Sequence, residues 1–237
     1  MIFNIDLLAD DPVAFLVLFS ALGTAILLGL VLHEFSHAFV ADQLGDRLPR
    51  TRGRLTLNPL AHLDRAGTLL IALVGFGWAK PVPVNPNATK NPKAALAMTA
   101  VAGPATNFLI AAVASLPFRL GSLEWFSLYR AQNTGSWGID EYAGYYLSTI
   151  VLISVILGIF NLIPIAPLDG FKVAVGILPR ELSRSYARLE RVGPAILIPL
   201  IALPFLTGGR INLLANVLRP MIEALTEFFT GVDGRLY

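Results

Sequence analysis

Cysteine is absent from the 237 residues. Its absence excludes disulfides and thiolate metal ligands, so any zinc site has to be built from histidine and carboxylate. Charge is scarce as well. Asp, Glu, Lys and Arg make up 14% of the chain against 55% hydrophobic residues, and the mean hydropathy is +0.65. That balance excludes an ordinary soluble domain and gives an integral membrane protein. A basic n-region is missing too: Asp6, Asp10 and Asp11 precede the first apolar run. The run therefore reads as a retained span and not as a cleaved signal peptide. The net charge of +2 is small, and the basic residues sit in loops without interleaved aromatics. No nucleic-acid surface is expected from that pattern. Histidine is rare, with three in the chain, and two of these stand together.

They close an uncharged stretch that runs from Pro12 to Leu32, long enough for one membrane-spanning helix, which needs about 20 residues. Its end reads His33-Glu34-Phe35-Ser36-His37. On a helix, positions four apart share one face. Both imidazoles can then bind one zinc ion, and Glu34 beside them can take a proton from water. An accidental pattern of this kind is common in soluble proteins. In a membrane segment ionisable groups are expensive, which makes an accident a poor explanation.

Asp11-Pro12 is a good helix start, and Gly45 is a stop after a helix reaching about Leu44. In the polar stretch that follows, Leu55, Thr56 and Leu57 alternate and predict a short strand. Ala66 to Ala79 is uncharged, too short to span, and weakened as a helix by Gly67, Gly75 and Gly77; it reads as a re-entrant segment. The prolines of Lys80-Pro81-Val82-Pro83-Val84-Asn85-Pro86 suit an extended edge strand over Val82–Asn85. Two further uncharged stretches, Ala94 to Phe118 and Tyr142 to Leu168, are spans. The first contains Ala102-Gly103-Pro104-Ala105-Thr106-Asn107, whose small residues permit close helix packing. In the second, Pro164 and Pro167 should end regular helix near Asn161 and leave an arm leading to Asp169. Val192 to Gly209 is a fourth uncharged stretch. In the last helix, Ile211 to Phe229, Arg219, Glu223 and Glu227 form one polar face.

The basic residues set an orientation. Residues 41–93 hold eight Lys and Arg, residues 165–191 hold five, and residues 119–141 hold two. The positive-inside rule puts the first two segments in the cytoplasm. The first and third spans then both descend toward that side, which brings Asp169 to the depth of His33 and His37. A catalytic zinc takes three protein ligands and keeps one position for water. Asp169, Asp64 and His62 are the candidates for the third. Asp169 also suits a helix N-cap, and His62 and Asp64 also suit plain hydrogen-bonding loop positions.

The motifs together resemble the site-2 protease family of intramembrane zinc metalloproteases, peptidase family M50, in a small form. They are His33–His37, Asn58-Pro59, Gly77-Trp78-Ala79-Lys80-Pro81-Val82-Pro83-Val84, Ala102–Asn107, Asn161-Leu162-Ile163-Pro164 and Pro167-Leu168-Asp169-Gly170. The resemblance covers about residues 13 to 190, within a single membrane-embedded domain whose residues 192–230 add C-terminal helices. It implies His33, His37 and Asp169 as ligands of one Zn2+ and Glu34 as general base. Asn107 matches a family asparagine near the metal, a candidate for substrate or transition-state support. It also implies an all-α multi-pass fold in the cell membrane, with a small membrane-embedded β-sheet. No stretch is long and polar enough for the PDZ or CBS domain that many relatives carry. The substrate implied is a transmembrane segment of another protein, cut in regulated intramembrane proteolysis. An open strand edge at Val82 and Val84 would hold it after local unwinding. A zinc transporter would need ionisable groups along a whole pathway, and here the spans are uncharged away from one end. An inactive scaffold would not need all four catalytic-type residues.

Overall fold

The computed structural model describes residues 11–74, 77–127 and 134–232, with the side chains of 71–74 left aside. Helix α1 runs from Pro12 to Gln43; Asp11 caps it by accepting from Ala14 N, and Gly45 follows at φ 106°. Helix α2 covers Arg65–Val74, α3 Pro92–Ala114, α4 Ile139–Asn161, α5 Asp169–Ile177, α6 Arg180–Ala187, α7 Gly193–Leu206 and α8 Leu213–Thr230. Single-turn helices occupy Leu48–Thr51, Pro59–His62 and Leu116–Arg119. Three helices, α1, α3 and α4, are long and apolar enough to cross a membrane. Arg180–Arg191 and Gly193–Leu206 form a fourth candidate, bent by 57°.

The distribution of side chains is that of a protein packed in lipid. The buried face of α1 is mostly small, with Ala14, Ala21, Ala25, Gly29, Ala38 and Ala41. Its large residues Leu16, Phe19, Leu27 and Phe39 are exposed. Helix α3 repeats the pattern, with Ala95, Ala100 and Ala111 inside and Met98, Leu109 and Val113 outside. Lipid is as apolar as leucine, so close backbone approach, not burial of bulk, holds such helices together. Helices α1, α3 and α4 pack on one another, α5 packs on α3, and α8 packs on α4. A cluster of Ala111, Val151, Val155, Ile159, Leu218 and Ile222 joins α3, α4 and α8. Arg119 ties down the end of α8 by donating to the carbonyls of Phe229 and Phe228 at 2.9 and 2.6 Å. On α8 itself, Arg219 and Glu223 pair at 2.8 Å.

Two expectations fail between α1 and α3. The small β-sheet is not there: among the described residues there are no strands, only a single antiparallel bridge between Leu63 and Ala79. Leu55 and Thr56 form a bend, and residues 82–85 carry no regular secondary structure. The reason is chemical. Pro81, Pro83 and Pro86 cannot donate to a ladder, and side chains take the groups that remain. Asp46 accepts from Asn85 N, Glu34 accepts from Val82 N, and Arg54 donates to Lys80 O. The second failure is helix α2, which forms despite Gly67. Gly67 N donates to Asp64 Oδ1 at 2.9 Å, and a Cβ on Gly67 would overlap the backbone of Trp78. The glycine permits a close return pass. The chain departs at Leu63 and is back beside it at Ala79; Gly75 and Phe76 lie outside the described residues.

Candidate active site

The helical period puts His33 and His37 on one face of α1, their rings 4.6 Å apart and nearly perpendicular. Both are buried. Helix α4 ends at Asn161, and a turn through the Ala166–Pro167 cis peptide leads to Asp169, the first residue of α5. A helix start is a favourable place for a carboxylate. Asp169 Oδ2 lies 3.1 Å from His33 Nε2 and 3.0 Å from His37 Nε2. Ligand-type atoms of the three residues all fall within 4.8 Å of one another.

Each histidine is held from behind. His37 Nδ1 donates to Thr99 O at 2.6 Å, and His33 Nδ1 to Asn107 Oδ1 at 3.3 Å. Carbonyl oxygens only accept, so both Nδ1 atoms carry the proton and both Nε2 atoms present lone pairs. Two lone pairs then face a carboxylate oxygen at contact distance. The three residues could hold a metal ion, and two imidazoles plus one carboxylate match a zinc donor set with a position left for water. Gly103 makes the room: a Cβ there would stand 2.5 Å from both Nε2 atoms. Lys172 Nζ reaches Asp169 Oδ1 at 3.4 Å.

Glu34 lies beside the cluster and accepts from Val82 N at 3.2 Å. Glu34, the three ligand-type residues, Val82 and Val84 all line one cavity of about 810 Å³. Its other walls come from Gly77–Ala79, α4, α7 and α8, and most of the lining is apolar. Asn107, fully buried on α3, meets His33 and does not line the cavity. His62 and Asp64 stay away from the cluster: His62 Nε2 donates to Thr56 O at 2.8 Å, and Asp64 starts α2. Thr99 is a partner that sequence reasoning missed. It contributes a backbone carbonyl, which no residue pattern marks.

A buried two-histidine, one-carboxylate cluster at the end of a membrane helix, with a glutamate alongside, defines a membrane-embedded metalloprotease. The sequence pattern of Peptidase family M50 matches residues 136–202, which include Asp169. The "Putative zinc metalloprotease YwhC" of Bacillus subtilis is 33% identical over 199 residues, 84% of each chain. The "Putative zinc metalloprotease Rip2" of Mycolicibacterium smegmatis is 30% identical over 202 residues, 82% of this chain and 71% of that one. Its namesake in Mycobacterium tuberculosis is 29% identical over 204 residues, 84% and 73% of the two chains. No solved structure matches the chain. The chain belongs to peptidase family M50, the site-2 protease family.

Proposed function

We propose that the protein hydrolyses peptide bonds within or beside transmembrane segments of other membrane proteins, at a zinc ion held by His33, His37 and Asp169. The observation that carries this reading is the convergence of three buried ligand atoms next to Glu34 in a cavity walled by apolar helices. A zinc ion held there would supply Lewis acidity toward the scissile carbonyl and the attacking water. Glu34 accepts the proton of that water and delivers it to the leaving amine. Asn107 and the Thr99 carbonyl keep His33 and His37 in the tautomer that ligates through Nε2. Asn107 therefore acts through His33, as a positioning residue.

A helical substrate hides its amides in its own hydrogen bonds, so it has to unwind before attack. The run that holds Val82 and Val84 lines the cavity beside Glu34. The unwound substrate lies along it, its side chains in the apolar lining. The eight and five basic residues of 41–93 and 165–191 orient the site toward the cytoplasmic side of the cell membrane. The whole chain acts as one membrane-embedded unit, its core about 13–190.

Substrate trapping tests this reading. Glu34→Gln, expressed in cells and recovered with its bound proteins, should enrich membrane proteins with apolar spans that the wild-type chain cuts. Recovery of soluble proteins alone, cut equally well by the wild type, would contradict it.

A further inference from the structure

We propose that the backbone N–H of Val82 sets the position of Glu34 for proton transfer, which makes Val82 a positioning residue through its amide. The proposal rests on the reading of Glu34 as the general base. Val82 N donates to Glu34 Oε2 at 3.2 Å. Its neighbours Pro81 and Pro83 have no N–H, so this amide is the only donor that the Pro81–Pro83 stretch offers the site.

The run that carries it is bracketed at both ends by buried polar groups. Upstream, Lys80 N donates to His62 O at 2.7 Å, and Arg54 Nη1 joins the carbonyls of Ala61 and Lys80. Downstream, Asn85 N donates to Asp46 Oδ2 at 2.5 Å, while Asp46 Oδ1 accepts from Leu48 N at 3.0 Å. Arg54, Asp46 and His62 are 6%, 2% and 0% exposed. Groups of this kind are costly to bury unless bonded, so the bracket resists displacement. Its midpoint is one amide aimed at one carboxylate oxygen. With Oε2 engaged by Val82, Oε1 is the oxygen left for the proton of the attacking water. A base that wanders by about 1 Å loses on the order of 100-fold in rate.

The full chain, loaded with zinc in detergent, allows two tests. The first is hydrogen exchange of the Val82 amide, followed by NMR on 15N-labelled protein. Glu34→Ala should speed exchange at Val82 by at least about tenfold, with Asn85, held by Asp46, unchanged. The second is cleavage of a dual-labelled synthetic peptide of about 20 apolar residues with a central Gly-Pro break. Val82→Ala and Val82→Pro both remove the valine side chain, and only the second removes the N–H. The kcat of Val82→Pro should fall about 10–100-fold below that of Val82→Ala, with similar KM and retained zinc. Should Val82→Pro fail to fold, replacement of Val82 by its α-hydroxy acid removes the same hydrogen and keeps the side chain; it should lower kcat likewise. Unchanged exchange in Glu34→Ala, equal cleavage by the two Val82 variants, or faster cleavage without the N–H would overturn the proposal. Cleavage by Glu34→Gln at the wild-type rate would instead overturn the role of Glu34 as base.

Discussion

His37 Nε2 lies 3.0 Å from Oδ2 of Asp169, a residue 132 positions further along the chain. One atom belongs to a membrane-spanning helix and the other to the first turn of α5. His37 Nδ1 is already committed to Thr99 O, so Nε2 is the atom turned to the carboxylate, and the pair could share a metal ion with His33. Packing of α1 and α4 against α3 brings the two together, which makes the site a consequence of the helix arrangement.

The purified protein is expected to carry about one zinc per chain. Metal analysis of His37→Ala and Asp169→Ala should show most of it gone, while circular dichroism stays helical. Full zinc retention by Asp169→Ala would mean that another residue completes the set.

Gly103→Ala provides a steric test. The added methyl would stand 2.5 Å from Nε2 of both histidines. Zinc affinity and cleavage should collapse while the helices persist. Gly23→Ala is the control, because nothing lies within 4 Å of a Cβ there. It should be neutral or stabilise by a few tenths to about 1 kcal/mol. Equal zinc binding by both variants would show that α3 does not approach the histidines this closely.

Asn107→Ala separates positioning from substrate support. Loss of the Oδ1 contact to His33 should weaken zinc binding on the order of 10–100-fold, measured by competition with a chelator. Normal zinc affinity with impaired cleavage would instead place Asn107 on the substrate.

These sites show which features a sequence reveals. The histidine pair was legible because helical period alone puts positions four apart on one face. The end of α4 at Asn161 was legible because Pro164 forbids continuation. The β-sheet was misread because alternation at Leu55–Leu57 and extension at Val82–Asn85 mark local conformation only, and three prolines leave too few donors for a ladder. Helix α2 was missed because Gly67 reads as a breaker, whereas its missing side chain lets Trp78 pass. Thr99 and Val82 act through backbone atoms, and the buried trio Arg54, Asp46 and His62 bonds largely to backbone. Such contacts depend on tertiary placement and leave no residue signature.

Orientation is open to cysteine labelling, since the chain has no cysteine of its own. A membrane-impermeant thiol reagent should reach a Cys at Lys90 from the cytoplasm and a Cys at Ser122 from the other side; both positions are exposed. The reverse result would put the active site on the opposite face and contradict the charge-based assignment.

The most direct test of the central claim is cleavage by zinc-replete Glu34→Gln. The amide keeps the size of the carboxylate but cannot accept the proton. About one zinc per chain is expected to remain, with hydrolysis of the dual-labelled transmembrane peptide reduced by about 10²–10⁴-fold. Turnover near the wild-type rate, with zinc in place, would contradict the account.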